Sequence, residues 1–143
     1  MKPVPFSDAP IRLRPFGSER LDEIKALYEN AGWTAYLQDD DKLLRAFDSS
    51  LYTLGAFADG RLVGFARCVG DGEHIVYLQD LLVDIPWQRR GIGRRLMEQV
   101  LEHYHGVRMF LLCTYAGDDG ANAFYRALGL TSPDSGYRFY VRP

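Results

Sequence analysis

Apolar and polar positions follow two rhythms along this chain, and each change of rhythm marks an element. Ile11-Arg12-Leu13-Arg14 alternates with period two and predicts a short first strand. Leu21, Ile24, Leu27, Tyr28 and Ala31 then recur at helical spacing, with Ser18 as the expected cap and Gly32 as the stop. Asp39-Asp40-Asp41 suits the positive end of a second helix dipole, and that helix carries Leu43, Leu44 and Phe47. Two apolar runs, 51–58 and 61–69, flank Asp59-Gly60, a dipeptide that favours a tight hairpin. Asp71-Gly72 turns the chain into a third run, Ile75 to Val83, completing an antiparallel meander.

The rhythm changes again after Gly91. Ile92, Leu96, Met97, Val100, Leu101 and Tyr104 gather on one face of a helix, while Arg94, Arg95, Glu98, Gln99, Glu102 and His103 take the other. Val107 to Thr114 is a nearly unbroken apolar run, as expected of a buried strand lying parallel to the 75–83 strand after a right-handed crossover. Ala121 to Leu128 predicts one more helix, stopped by Gly129, and Tyr137 to Arg142 alternates as a last strand. The order is β-α-α-β-β-β-α-β-α-β, an α/β chain with a mixed sheet. No linker, repeat or low-complexity segment interrupts residues 1–143, which read as a single domain.

Composition narrows the function. The 143 residues are 47% hydrophobic, enough for a real core, and the formal charge of −2 with a pI near 5.9 supplies no basic field for nucleic acid. No apolar run reaches the length of a membrane span, and MKPVPFSDAP lacks a signal-peptide core, so a cytoplasmic protein is expected. Cys68 and Cys113 sit in apolar runs without metal-ligand spacing; both are expected to be buried free thiols, and no metal is expected. A nucleophilic, acyl-carrying Cys113 would need a base that the sequence does not identify.

Candidate chemistry is concentrated between the 75–83 strand and the helix after it. Gln88-Arg89-Arg90-Gly91-Ile92-Gly93 opens that helix, leaving first-turn amides free to point at an anion. Arg89, Arg90, Arg94 and Arg95 stand where cations oppose the helix dipole by roughly 0.3–1 kcal/mol each, a cost that a bound polyphosphate would offset. A dinucleotide fingerprint would need glycine at Leu96, and the G-x-x-x-x-G-K-[ST] phosphate loop is absent.

Gln88-x-x-Gly91-x-Gly93 after Leu81-Leu82-Val83 resembles the Q/R-x-x-G-x-G/A signature of the GNAT superfamily of acyl-CoA-dependent N-acyltransferases. Asn122-x-x-Tyr125-x-x-x-Gly129-Leu130 resembles that family's C-terminal pattern, with Leu130 where a phenylalanine is usual. The resemblance spans residues 51–130. It implies a GNAT fold with a central, splayed pair of parallel strands flanked by helices, and acetyl-CoA as co-substrate. It further implies that Gln88, Arg89, Arg90, Gly91, Ile92, Gly93 and Arg94 hold the pyrophosphate. Leu81, Leu82 and Val83 would line the splay, an amide of Leu82 or Val83 serving the oxyanion, and Asn122 and Tyr125 would complete the cofactor site.

By the same resemblance Tyr125 is the general acid for the departing thiolate, a phenol that stays protonated at neutral pH. Tyr77 stands where some members carry a glutamate base. Asp80, an acidic residue in an apolar strand, is the leading base; the alternatives are a structural partner for an arginine, with a water chain as base. Trp33 and Tyr36 are candidate substrate-pocket residues, the other reading being a packed helix corner. The function so implied is direct acetyl transfer to a primary amine, a small molecule being favoured over a peptide amine. The rival readings are a non-catalytic acyl-CoA sensor and a nucleotide-binding regulator. Either a monomer or a homodimer paired through Tyr137, Phe139 and Tyr140 is compatible with the sequence.

Overall fold

The computed structural model describes residues 3–132 and 138–142. Two compact units divide the chain, Met1–Cys113 and Thr114–Pro143. The first contains β1 (Ile11–Pro15), α1 (Leu21–Ala31), α2 (Asp40–Asp48), β2 (Tyr52–Ala58), β3 (Arg61–Gly70), β4 (Ile75–Val83), α3 (Ile92–His103) and β5 (Met109–Leu112); the second contains α4 (Asp119–Ala127). The sheet runs β1-β2-β3-β4-β5, antiparallel except for the parallel pair β4 and β5. This is the α/β arrangement with a mixed sheet that the order of elements predicts.

Local chemistry accounts for most boundaries. Asp59 and Gly60 both adopt positive φ, 50° and 75°, as a two-residue hairpin between twisted strands requires. Asp39 caps α2 by accepting from the Lys42 amide, and Gly32 closes α1 in the left-handed region. Ser18 does not cap α1. It lies inside a 3-10 turn, and its hydroxyl donates to the Asp48 carboxylate. The cap position of α1 itself is Arg20, which makes no side-chain cap bond, and the extended residue before the 3-10 turn is Gly17, which has no side chain to offer.

One face of the sheet holds an aromatic-rich core. Ile24, Leu27 and Tyr28 of α1 and Leu43 and Phe47 of α2 pack on Phe57, Leu62, Phe65 and Leu82. The other face is covered by α3 through Ile92, Leu96, Met97 and Val100, all buried at the spacing read from the sequence. Burial of side chains of this size contributes about 1.5–3 kcal/mol each, so both helical faces are strongly fixed on the sheet.

Two expectations fail at the C-terminal side of this sheet. β5 ends at Leu112 rather than Thr114, and Cys113, beyond its last pairing, is exposed while Cys68 is buried. Residues 138–142 form no strand, and Tyr137 lies outside the described residues. Phe139, Tyr140 and Val141 are largely exposed, so alternation there is not accompanied by the burial that would turn it into pairing.

β4 carries the irregularity that organises the site. Arg67 pairs with Asp80 while the next residue, Cys68, pairs with Leu78, so one step along β3 spans two along β4, and Gln79 is the extra residue. A bulge of this kind brings two consecutive side chains to one side and reverses the alternation beyond it. Asp80 and Leu82 therefore face the α1 and α2 layer, whereas Leu78 shares the face of its partner Cys68.

Candidate functional site

The parallel strands separate immediately beside this bulge. β4 and β5 are in register from Ile75 and Met109 to Leu78 and Leu112; β4 then runs on through Gln79 to Val83, paired only with β3. Asp84 N donates to Val63 O at 2.8 Å, so strand alternation turns the Leu82 amide towards β3 as well. The amides of Leu81 and Val83 face the open side. This removes Leu82 from the two expected oxyanion donors: its amide is directed into the sheet and its side chain into the core. Val83 remains, joined by Leu81.

The loop after β4 is held to it. Gln88 Nε2 donates to Val83 O at 2.9 Å, and Asp84 and the buried Trp87 anchor residues 4–6 of the N-terminal segment, through Val4 N to Asp84 Oδ2 (2.8 Å), Trp87 Nε1 to Val4 O (2.9 Å), and a tilted ring contact with Phe6. Gly91 starts α3 with φ 81°, and the first helical bond runs from Arg95 N to Gly91 O. The amides of Ile92, Gly93 and Arg94 therefore have no acceptor within the helix, and the dipole adds partial positive charge at the same place. A Cβ at Gly91 would meet no atom within 4 Å, so the turn is open beside the residue that starts the helix.

The four arginines of this turn are not equivalent. Arg94 pairs with Glu98 at 2.6 Å, Arg90 covers the Phe6 ring at 3.5 Å, and Arg95 donates to Ile11 O. Arg89, at φ 62°, makes no hydrogen bond or ion pair among the described residues. Local partners thus balance part of the charge that the sequence assigns to a polyphosphate. Arg89, Arg90 and Arg95 line a groove of about 420 Å³ with Phe6, Ser7 and Trp87.

Behind the separated strands lies a buried polar cluster. Asp80, 2% exposed, receives the Arg67 Nε at 2.7 Å and the Tyr28 hydroxyl at 2.8 Å on Oδ2, and the Tyr36 hydroxyl at 2.7 Å on Oδ1. Gln79 Nε2 donates to the Tyr36 oxygen at 3.0 Å, the second contact made on this side because of the bulge. Tyr36 stacks on Tyr28 with centroids 4.2 Å apart, and Trp33, at the edge of the same aromatic layer, is 39% exposed. Burial, then the Asp80 charge, pushes the Tyr28 phenol far above its ordinary value. Tyr36 is also raised, chiefly by burial, against the opposing Gln79 bond. Burial is the largest influence and works against the Arg67 charge, but the Asp80 carboxylate and its hydrogen bond, with Tyr28 and Tyr36, together outweigh it and hold the guanidinium more firmly protonated.

Sequence reasoning brings Asp80 and Tyr36 to the site and misses Arg67, Tyr28 and Gln79. Arg67 was visible as a lone cation in the apolar run Leu62 to Val69, matching the lone acid of the next strand. Pairing the two requires the bulged register, which composition does not reveal. Tyr77, half-buried on β4, hydrogen-bonds the exposed Cys113, and burial followed by that thiol raises its phenol.

The second unit carries the remaining candidates. Asn122 braces the turn before α4: its Oδ1 accepts from the Thr114 hydroxyl, and its Nδ2 donates to Tyr115 O at 3.1 Å and Ala116 O at 3.3 Å. Both ends of its amide are thereby used. Tyr125 sits one turn further on, half-buried, with its phenol raised to about 12 by burial and then by Asp118, whose side chain caps α4.

Comparison with known proteins agrees with this architecture. A Streptococcus pneumoniae acetyltransferase of the GNAT family is similar over 93% of this chain and 98% of its own, with a TM-score of 0.78 and 28% identity. An uncharacterized ycf52-like N-acetyltransferase of Prochlorococcus marinus is 30% identical over 82% of this chain and 66% of its own length. The chloroplastic serotonin N-acetyltransferase 2 of rice is 32% identical over 72% of this chain and 54% of its own. The chain thus spans between about half and two thirds of these two curated relatives. Residues 18–130 match the acetyltransferase (GNAT) family model, and with the splayed strand pair, the glycine turn and the sheet order in place, the chain belongs to that family.

Proposed function

We propose that this chain transfers the acetyl group of acetyl-CoA to a small primary amine with an apolar body. The observation that carries the reading is the end of β4 to β5 pairing at Leu78 on the strand that leads to a turn whose three first amides have no partner among the described residues. The amides of Ile92, Gly93 and Arg94 hold the pyrophosphate in the space that Gly91 leaves clear, with Gln88 keeping the turn against β4. Arg89 and Arg90 add charge at its rim. The amides of Leu81 and Val83 bind the pantetheine arm and receive the thioester oxygen as it gains charge, while Asn122 shapes the turn before α4.

Asp80 takes up the proton of the acceptor ammonium. The freed nitrogen lone pair forms the C–N bond, the C–S bond breaks as Tyr125 gives the leaving sulfur its proton, and the second proton shed by the nitrogen restores the Tyr125 phenol and leaves a neutral amide. A phenol raised to about 12 is fully protonated at neutral pH, as an acid in this role must be. Trp33 and Tyr36 offer an aromatic wall to the acceptor, which supports a partly apolar amine; the rice relative's name, serotonin N-acetyltransferase, supports the same class.

Calorimetric titration with acetyl-CoA, with ATP and NAD as controls, tests the donor, and coenzyme A release in the presence of 2-phenylethylamine tests the transfer. Micromolar binding of acetyl-CoA alone with amine-dependent turnover is expected. Binding without turnover on any primary amine would favour a sensor of acyl-CoA instead, and absence of binding would overturn the reading.

A further inference from the structure

We infer that the Tyr36 hydroxyl is the relay through which the acceptor ammonium passes its proton to Asp80, an inference that rests on the proposed role of Asp80 as proton acceptor. The geometry leaves one route. Asp80 is 2% exposed; its Oδ2 is occupied by Tyr28 and Arg67, and its Oδ1 by Tyr36. At that burial an amine outside the core does not reach the carboxylate, and the Oδ1 side of it is met by Tyr36.

Tyr36 is the member of the cluster that reaches outward. A phenol oxygen has one proton and two lone pairs; Tyr36 spends its proton on Asp80 Oδ1 and one lone pair on the exposed Gln79 amide. The second lone pair is free to accept an N–H from the substrate side. Gln79 and Asp80 both reach this oxygen because the bulge brings consecutive side chains of β4 to one side. The cluster also begins one residue beyond the last β4 to β5 pair, where β4 loses its second neighbour among the described residues.

The transfer balances without a further reactant. One N–H bond of the ammonium breaks towards the Tyr36 oxygen as the Tyr36 O–H proton moves to Asp80 Oδ1. The nitrogen keeps the electron pair with which it attacks, the phenol ends neutral, and the carboxylate becomes a carboxylic acid. Arg67 keeps its charge, so the single positive charge moves from the amine to the Arg67 and Asp80 couple; after the amide leaves, the proton returns to solvent by the same route. The ionisable groups facing this couple are Tyr28 from α1, Tyr36, Arg67 from β3 and Tyr77 from β4. Burial raises the Tyr36 phenol, which disfavours a free phenolate on this route.

The test compares 2-phenylethylamine, an ammonium ion near neutral pH, with 2,2-difluoro-2-phenylethylamine, in which fluorine makes the amine largely neutral and in no need of a base. Tyr36→Phe keeps the ring stacked on Tyr28. Arg67→Gln/Asp80→Asn removes both charges together and so avoids stranding either in the core. The relay predicts that each variant loses about 100-fold in kcat/KM for the first amine at neutral pH and less than about 5-fold for the second. It also predicts that the loss for the first amine shrinks as pH approaches that ammonium's own pKa.

Equal losses for both amines would make Tyr36 a positioning residue and overturn the relay. Loss in the double variant with Tyr36→Phe unaffected would keep Asp80 as acceptor and overturn the relay alone. If neither variant changes the ratio, Asp80 is not the acceptor. If wild type acetylates neither amine, the proposed acceptor class falls and the relay with it.

Discussion

Arg67 and Asp80 are buried to the point where their charges depend on one another, and Arg67→Met measures how much. Arg67 is 6% exposed and Asp80 2%, so the substitution leaves a carboxylate in the core with two phenols and no cation. Removing one member of a buried pair costs about 3–5 kcal/mol, a large part of the roughly 5–15 kcal/mol that holds a typical domain. At about 4 °C per kcal/mol for a chain of this size, the melting temperature should fall by roughly 12–20 °C. Arg67→Met/Asp80→Leu should recover most of this, because a buried pair is commonly replaceable by apolar groups. A residue of roughly 1–3 kcal/mol should persist, since the buried Tyr28 hydroxyl loses its acceptor. Urea unfolding followed by circular dichroism at neutral pH, with equal m-values as the control, gives the coupling energy directly. A coupling below about 1 kcal/mol would mean that water reaches the pair and that the sealed environment described for Asp80 is wrong.

Other outcomes follow from the same structure. Gly91→Val should keep the fold at a cost of about 1–2 kcal/mol for a branched residue at φ 81°, yet lower acetyl-CoA affinity at least 30-fold in titration calorimetry, because its side chain enters the space before the free amides. Tyr125→Phe should lower kcat about 100-fold with acetyl-CoA affinity unchanged, and wild-type kcat should show no loss from Tyr125 ionisation as pH rises to about 10, well below its phenol pKa of about 12. Burial raises the Cys68 thiol to about 12 from 9.0, so the unfolded chain loses this proton first and stability declines as pH rises between those values. Cys68→Ala should remove about 1.4 kcal/mol per pH unit from the slope of stability in that range, measured by urea unfolding.

Much of the frame was legible because periodicity reports burial directly. Leu96, Met97 and Val100 face the sheet as their spacing requires, and Asp59-Gly60 forms the turn its backbone freedom favours. Asp80 was conspicuous for a physical reason: an acid in an apolar strand demands a partner. Its partner was not legible, because a single extra residue at Gln79 decides that Arg67 lies opposite it. Ser18 illustrates another limit. A hydroxyl near a helix start is a cap only where its backbone is extended, and the preceding glycine takes that position. Cys113 was read as buried because its run is apolar, yet the strand ends one residue earlier. Composition gives the tendency to be buried, but pairing decides where that tendency is met.

The early end of β5 turns the C-terminal half of β4 into an edge of the sheet. From Gln79 to Val83, β4 has a neighbour on one side only among the described residues, and unpaired strand backbone is a template for adhesion to other chains. An extended ligand lying along it would act as a missing strand, so the amides of Leu81 and Val83 should exchange with solvent quickly in the free protein and slowly once it is loaded. At a hundred times its dissociation constant such a ligand adds about 2.7 kcal/mol to the folded state. Such a ligand would thereby also act as a solubility factor, and purification in the presence of acetyl-CoA should suppress aggregation of a chain that otherwise carries an open strand edge.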